Sequence, residues 1–260
     1  MGFKKLLASL GAGGASVETV LTEENVVPGG VVQGEVRIQG GSVAQRIEGL
    51  SLGLQARVEM ESGDHEVKQD LEFVKQRLGG EFEVQAGAVH VVPFGLHIPW
   101  ETPVTAIGGQ PIRGMDIGVR TELEIARAVD SGDLDPIRVH PLPSQLAIID
   151  AFGQLGFRFK SADMERGRIR NTRQQLPFYQ EIEFFAPERY RGLSQVELTF
   201  VADDREMDVI LEMDKKPGLF TDGSDSYKAF RVGHHDFASK DWTAYLDQWL
   251  TEVGGRRNWF

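Results

Sequence analysis

Val31-Val32-Gln33-Gly34-Glu35-Val36-Arg37-Ile38-Gln39, followed beyond Gly40-Gly41 by Leu50-Ser51-Leu52-Gly53-Leu54-Gln55-Ala56-Arg57-Val58-Glu59-Met60, is the stretch that decides the fold class. In the first run Val32, Gly34, Val36 and Ile38 point one way and Gln33, Glu35, Arg37 and Gln39 the other. The second run puts Leu50, Leu52, Leu54, Ala56, Val58 and Met60 opposite Ser51, Gly53, Gln55, Arg57 and Glu59. A period of two marks strands with one buried and one wet face, as in a β-sandwich. Pro28-Gly29-Gly30 before the first run reads as the turn that leads into it.

Working outward, strands succeed one another from about 16 to 213. A charged strand spans 67–78, a short one 82–84, and 93–99 reads as an edge strand closed by Pro99, since proline cannot donate to a central ladder. Residues 117–125 restore the alternation. Residues 130–143, with Gly132, Pro136, Pro141, Pro143 and three aspartates, read as a linker. A second series of strands is expected at 146–152, 155–160, 167–171, 178–185, 193–202 and 207–213, with Asp203-Asp204 in a hairpin turn. After Ser239, a helix cap with Asp241 in the first turn, the period changes. Trp242, Tyr245, Leu246, Trp249, Leu250 and Val253 then form a helical stripe that Gly254-Gly255 stops.

The chain has 260 residues, enough for a substantial core, and no cysteine, which removes disulfides, thiolate metal sites and cysteine nucleophiles together. The lack of a staple in a large β protein leans towards the cytoplasm. A formal charge of -11 argues against general nucleic-acid binding. No apolar run is long enough to span a bilayer. Phe3, Leu6, Leu7 and Leu10, with Lys4 and Lys5, fit one side of a short amphipathic helix. A helix packed on the sandwich is favoured there over a membrane-surface anchor.

The motifs that invite chemistry are weakened by their context. Gly49-Leu50-Ser51-Leu52-Gly53 matches the nucleophile elbow of hydrolases, but that chemistry needs a sharp strand-to-helix turn. Ser51 instead falls on the wet face of a continuous strand. His234 and His235 are adjacent on a strand, face opposite ways and do not readily share an ion, so a structural role is favoured. Asp130, Asp133 and Asp135 lack calcium-loop spacing and read as a solvated acidic linker. Arg158, Lys160, Arg166, Arg168, Arg170 and Arg173 oppose the global charge, and alternation puts Arg166, Arg168 and Arg170 on one side of a strand. Such a stripe can dock an acidic partner, pair with neighbouring carboxylates or blunt a sheet edge; the structural readings are favoured. With no phosphate loop, dinucleotide fingerprint or credible catalytic set, the chain reads as a non-enzymatic binding protein with no cofactor and no metal.

Residues 26–36 (Val26-Val27-Pro28-Gly29-Gly30-Val31-Val32-Gln33-Gly34-Glu35-Val36) and 92–99 (Val92-Pro93-Phe94-Gly95-Leu96-His97-Ile98-Pro99) resemble the early strand and the proline-ended strand of arrestin-like domains. Over nearly its full length the chain is similar to bacterial sporulation-control proteins of the SpoOM type, through Phe3-Lys4-Lys5-Leu6-Leu7-Ala8-Ser9, the strand and turn at 36–41, Ile112-Arg113-Gly114, Asp133-Leu134-Asp135-Pro136 and the 234–237 region. The resemblance implies an all-β chain of two arrestin-like β-sandwich domains in tandem, with a short N-terminal helix and a C-terminal amphipathic helix. The boundaries expected are 1–138, 139–238, and 239–260 for the helix and tail. It implies regulatory contacts with a protein partner and, in Bacillus-type members, a role in sporulation. Candidate partner contacts are Arg158, Arg166, Arg168, Arg170, Arg173, Trp242 and Trp249, and the aromatic helix can also seed a homodimer. By analogy with the charge network that holds arrestin domains together, Asp130, Asp133 and Asp135 are expected at the interdomain junction, with Arg256 and Arg257 as partners.

Overall fold

The computed structural model describes residues 13–62, 65–190, 192–215 and 227–255. Its first half pairs β1 (Ser16–Leu21), β3 (Val31–Gln39) and β7 (Val89–His97) in a three-stranded antiparallel sheet of order β1-β3-β7. A second sheet lies across it: β4 (Gln45–Ser62) pairs with β5 (His65–Gly79) and β6 (Phe82–Val84) along one edge and with β10 (Ile117–Ile125) along the other. Beyond β10 comes β11 (Ser131–Pro136), and a short hairpin before β10 pairs β8 (Ala106–Ile107) with β9 (Gln110–Pro111). The inward residues are those the alternation selects, since Val32, Val36, Ile38, Leu50, Leu52, Leu54, Ala56 and Val58 are all buried. The side chain of Met60 lies outside the described set.

The outer face of β4 departs from its expected wetness. Ser51 is buried, and a Cβ on Gly53 would stand 2.5 Å from the Val74 carbonyl and closer still to the Glu72 carboxylate. Long side chains from neighbouring strands cover this face: Arg77 is paired opposite Ser51, as is Glu122 from β10. Ser51 is therefore shielded within a continuous strand, without the sharp turn a nucleophile elbow requires.

The segment read as a linker is built into the sheets. β11 runs through its first part, and β12 (Arg138–Val139) pairs in parallel with β2 (Asn25–Val26). The next segment, expected as a strand, is helix α1 (Pro143–Gln154). A short apolar run cannot be told from a buried helix by periodicity alone. Here Pro143 opens the helix, the Gln145 side chain accepts from the Leu142 N–H at 2.8 Å, and Ile148, Ile149 and Phe152 turn inward. Gly156, at φ 84°, ends it: Gly156 N–H reaches Gly153 O at 2.9 Å and Phe157 N–H reaches Phe152 O at 3.0 Å. That pair of bonds is a Schellman motif, and the Phe152 and Phe157 rings meet edge-on at 5.1 Å beneath it.

The large sheet then continues through β13 (Arg158–Arg166), β14 (Phe178–Phe185), β15 (Leu193–Ala202), β16 (Glu206–Lys215) and β17 (Tyr227–Gly233), so ten strands carry both halves. Among the described residues the two halves are joined in this sheet at one paired position, Glu59 opposite Glu165. The buried face of β13–β17 is covered by α1 and α2 (Trp242–Gly255) where a second sheet layer was expected. Phe152 of α1 stacks on Phe184 at 5.2 Å, and Phe230 stacks on Trp242 at 5.7 Å. Asp241, rather than Ser239, caps α2 by accepting from the Ala244 N–H at 2.9 Å. Residues 167–171 form a loop instead of a strand.

Candidate functional site: a polar seam between the halves

Pro99 and Pro103 lack the N–H groups that would extend β7, so the chain leaves the sheet as a loop. That loop crosses to the second half and makes contact at three points. The Trp100 ring stacks on the His234 imidazole, 5.7 Å between centroids and 16° between planes. The Glu101 carboxylate accepts from the backbone N–H of Gln175 at 2.8 Å and of Leu176 at 2.9 Å. Val104 N–H donates to Gln180 Oε1 at 2.9 Å, while Gln180 Nε2 donates to Val104 O at 2.7 Å. The Gln180 amide thus imitates a strand neighbour for a residue that has none.

His234 ties further elements into the seam. Its Nε2 lies 2.9 Å from the Asp203 carbonyl, which only accepts, so Nε2 carries a hydrogen. Its Nδ1 lies 2.8 Å from the Ser144 hydroxyl at the start of α1. The Trp100 ring is also pressed against the turn at Gly29. Gly29 has φ 76°, and a Cβ there would stand 2.5 Å from the indole. The Ser144–His234 pair has the atoms of a nucleophile and its base, but Ser144 is 1% exposed, so no substrate reaches it.

The seam is bordered by charge. Arg173 lies 2.5 Å from Asp203, 3.0 Å from Glu206 and 3.5 Å from Asp208, and Arg231 lies 3.0 Å from Asp208. Burial pushes Asp203 up, but the N–H groups of Glu206 and Arg205 and the Arg173 guanidinium outweigh it and hold the carboxyl below its usual range. At Glu101 burial prevails over the N–H groups of Leu176 and Gln175 and the Arg168 charge, and its pKa is raised. On the outward face of β14, burial and then the Glu197, Asp163, Glu165 and Glu212 carboxylates push Glu181 up to about 8.

The arginines do not form one stripe. Arg158 begins β13, with its guanidinium 5.9 Å from the centre of the Phe185 ring, and Arg166 ends that strand eight residues later. Arg168 and Arg170 follow on the loop, exposed, and Arg168 donates to Gln174 O at 3.0 Å. Arg173 is engaged by the carboxylates at the seam. Trp242 is buried and Trp249 half-buried, with the Lys228 ammonium 5.0 Å from the Trp249 ring. Asp130 caps its own turn by accepting from Ile125 N–H at 2.9 Å, and Asp133 bonds to β1 in the first half. Phe3, Lys4, Lys5, Leu6, Leu7, Leu10, Arg256 and Arg257 lie outside the described residues. Among the described residues no group of three or more His, Asp or Glu side chains is arranged to hold a metal ion, and no helix is long and apolar enough to cross a membrane.

Trp100, Glu101 and Gln180 escaped the sequence reading. One signal was present: Gln180 falls between Phe178 and Ile182 on the buried face of its strand, where a lone amide needs a partner.

Comparison with known proteins extends this picture. A family model described as SpoOM protein matches residues 3–217. The sporulation-control protein spo0M of Bacillus subtilis (strain 168) is 35% identical over 216 residues, covering 82% of this chain and 81% of that protein. The crystal structure of Spo0M from Bacillus subtilis aligns with a TM-score of 0.80 at 29% identity, covering 93% of this chain and 99% of that one.

Proposed function

The chain belongs to the SpoOM protein family, and on that footing we propose that it is a non-enzymatic sporulation-control-type regulator that acts through protein–protein contacts. The observation that carries this reading is the likeness to the Bacillus subtilis sporulation-control protein, which extends over most of both chains in sequence and in structure. In this reading the division falls at 138/139, with the seam holding the two units in a fixed relation. Support for it comes from the single paired position, Glu59 opposite Glu165, that links them in the large sheet. The partner surface is the exposed loop carrying Arg168 and Arg170, with Arg166 at the end of β13 beside it, and their planar forks suit carboxylates of an acidic protein. Arg158, Arg173, Trp242 and Trp249 contribute by shaping the second unit.

Complementation tests this directly. Expressed in Bacillus subtilis lacking its own sporulation-control protein spo0M, the wild-type chain restores the normal spore yield. The Arg168→Glu, Arg170→Glu double variant, folded by circular dichroism, does not. A wild-type chain that accumulates in folded form yet leaves spore yield unchanged sinks the functional reading. A double variant as active as wild type sinks the assigned surface.

A further inference from the structure

β1 is an outer strand of its sheet, and its outward N–H groups are met by side chains instead of backbone. Val17 N–H donates to Ser131 Oγ at 3.2 Å and Thr19 N–H donates to Asp133 Oδ2 at 2.8 Å. Thr19 Oγ1 also lies 2.5 Å from Thr121 Oγ1 of β10. Ser131, Asp133 and Asp135 share one face of β11, so the third rung of this ladder is Asp135. That rung is not made: Asp135 Oδ2 is buried with no hydrogen-bond partner.

The surroundings of Asp135 are acidic. Asp133 is two residues away on its own strand, Glu18 comes from β1, and Glu24 from the turn before β2. Of the nearby cations, Arg138 of β12 lies 3.5 Å from Glu24, and Arg37 of β3, paired opposite Glu18, lies 2.6 Å from Glu35. On β10 the residues paired with Ser131, Asp133 and Asp135 are Leu123, Thr121 and Val119, none charged. Arg120 and Glu122 alternate with them and point to the other face, where Arg120 bonds Gln55 and Glu122 bonds Lys75. Two carboxylates on one strand face, with Glu18 and Glu24 beside them, cannot all be ionised without repulsion.

We propose that Asp133 and Asp135 form a proton-operated clasp between β11 and the outer edge of β1. With a proton on Asp135, its hydroxyl hydrogen-bonds Asp133, and Asp133 stays seated on the Thr19 N–H. Without that proton, the pair repels, Asp133 leaves Thr19, and the rim of β1 opens. Burial, then the Asp133 charge and the hydrogen bond to Asp133, push Asp135 up to about 7. The clasp lies within the first half and is independent of the partner-docking reading.

Hydrogen exchange of the full chain between pH 6 and 8.5 tests it. After division by the intrinsic rate, protection of the 17–19 amides is expected to fall about tenfold with rising pH, as for an opening linked to one proton. Asp135→Asn, whose amide donates to Asp133 at every pH, is expected to keep protection constant over that range. Carbon NMR of the wild-type Asp135 carboxyl supplies a second readout that needs no variant, with a midpoint near neutrality expected. Ordinary carboxylate titration of Asp135, or protection at 17–19 that does not change with pH in the wild type, overturns the clasp.

Discussion

Replacing Gln180 with leucine puts a price on the seam. The amide is the hydrogen-bond partner of both the N–H and the C=O of Val104, and Val104 is 1% exposed while Gln180 is 7% exposed. Water cannot take over those roles. Two buried backbone groups left unpaired cost about 1–3 kcal/mol each, and the leucine's easier burial returns part of that, leaving a net loss of about 3 kcal/mol. Because leucine is close in volume to glutamine, no cavity term adds to it. Guanidinium unfolding followed by tryptophan fluorescence measures the loss, and Trp100 reports from the seam itself. Gln180→Glu sharpens the reasoning. Protonated, the new carboxyl both accepts and donates as the amide does; ionised, it sets an oxygen against the Val104 carbonyl. That variant is expected to approach wild type near pH 4.5, measured against wild type at the same pH, and to be about as damaged as the leucine variant at pH 8. A loss below about 1 kcal/mol in Gln180→Leu, or a Gln180→Glu cost that ignores pH, refutes the assigned role.

Gly156→Ala places a Cβ in the left-handed region at the end of α1 and is expected to cost about 1–2 kcal/mol by thermal or chemical unfolding, with no space conflict to blur the reading. A neutral substitution would mean that the Schellman turn relaxes freely. Asp135 and Glu181 are raised to about 7 and about 8, from ordinary carboxyl values near 4 in the unfolded chain. The folded state therefore holds more protons between those values, and stability falls as pH rises from about 4 to about 8. Urea midpoints across that range, flatter in the Asp135→Asn, Glu181→Gln double variant, check the sign; a rising midpoint contradicts it. A fluorophosphonate probe is expected to leave Ser51 unlabelled, because the hydroxyl is buried in a continuous strand; modification at Ser51 would revive the nucleophile reading.

How far the sequence carried depends on what each residue had to do. Strands with one dry face were legible because burial demands only a period of two. Residues 82–84 and 117–125 coincide with β6 and β10, and the alternating run 32–39 lies within β3. Residues 146–152 were misread since a segment dry on nearly every side has no period to report, and its cap signals, Pro143 and Gly156, lay outside the apolar run. The arginines were misread as a stripe because alternation was carried beyond Arg166, where the strand ends. Ser51 was assigned to solvent because period two states which face a residue takes but not whether neighbours with long side chains cover it.

The seam was hidden for another reason: each of its members looks ordinary in its own segment. Pro28-Gly29-Gly30 is a turn signal and its local role is confirmed by Gly30 N–H bonding Val27 O at 3.0 Å. Yet the left-handed Gly29 also leaves the flat space that the Trp100 ring fills, and that ring also meets His234 more than 130 positions further on. A glycine required by a turn is thus also required by the contact between halves, and no local pattern separates the two demands. Substitution does: Gly29→Asn tolerates the backbone angle but not the indole. Its cost beyond the turn should vanish when Trp100 is already alanine, so a double-mutant cycle that shows simple additivity would dissolve the link between the opening turn and the seam.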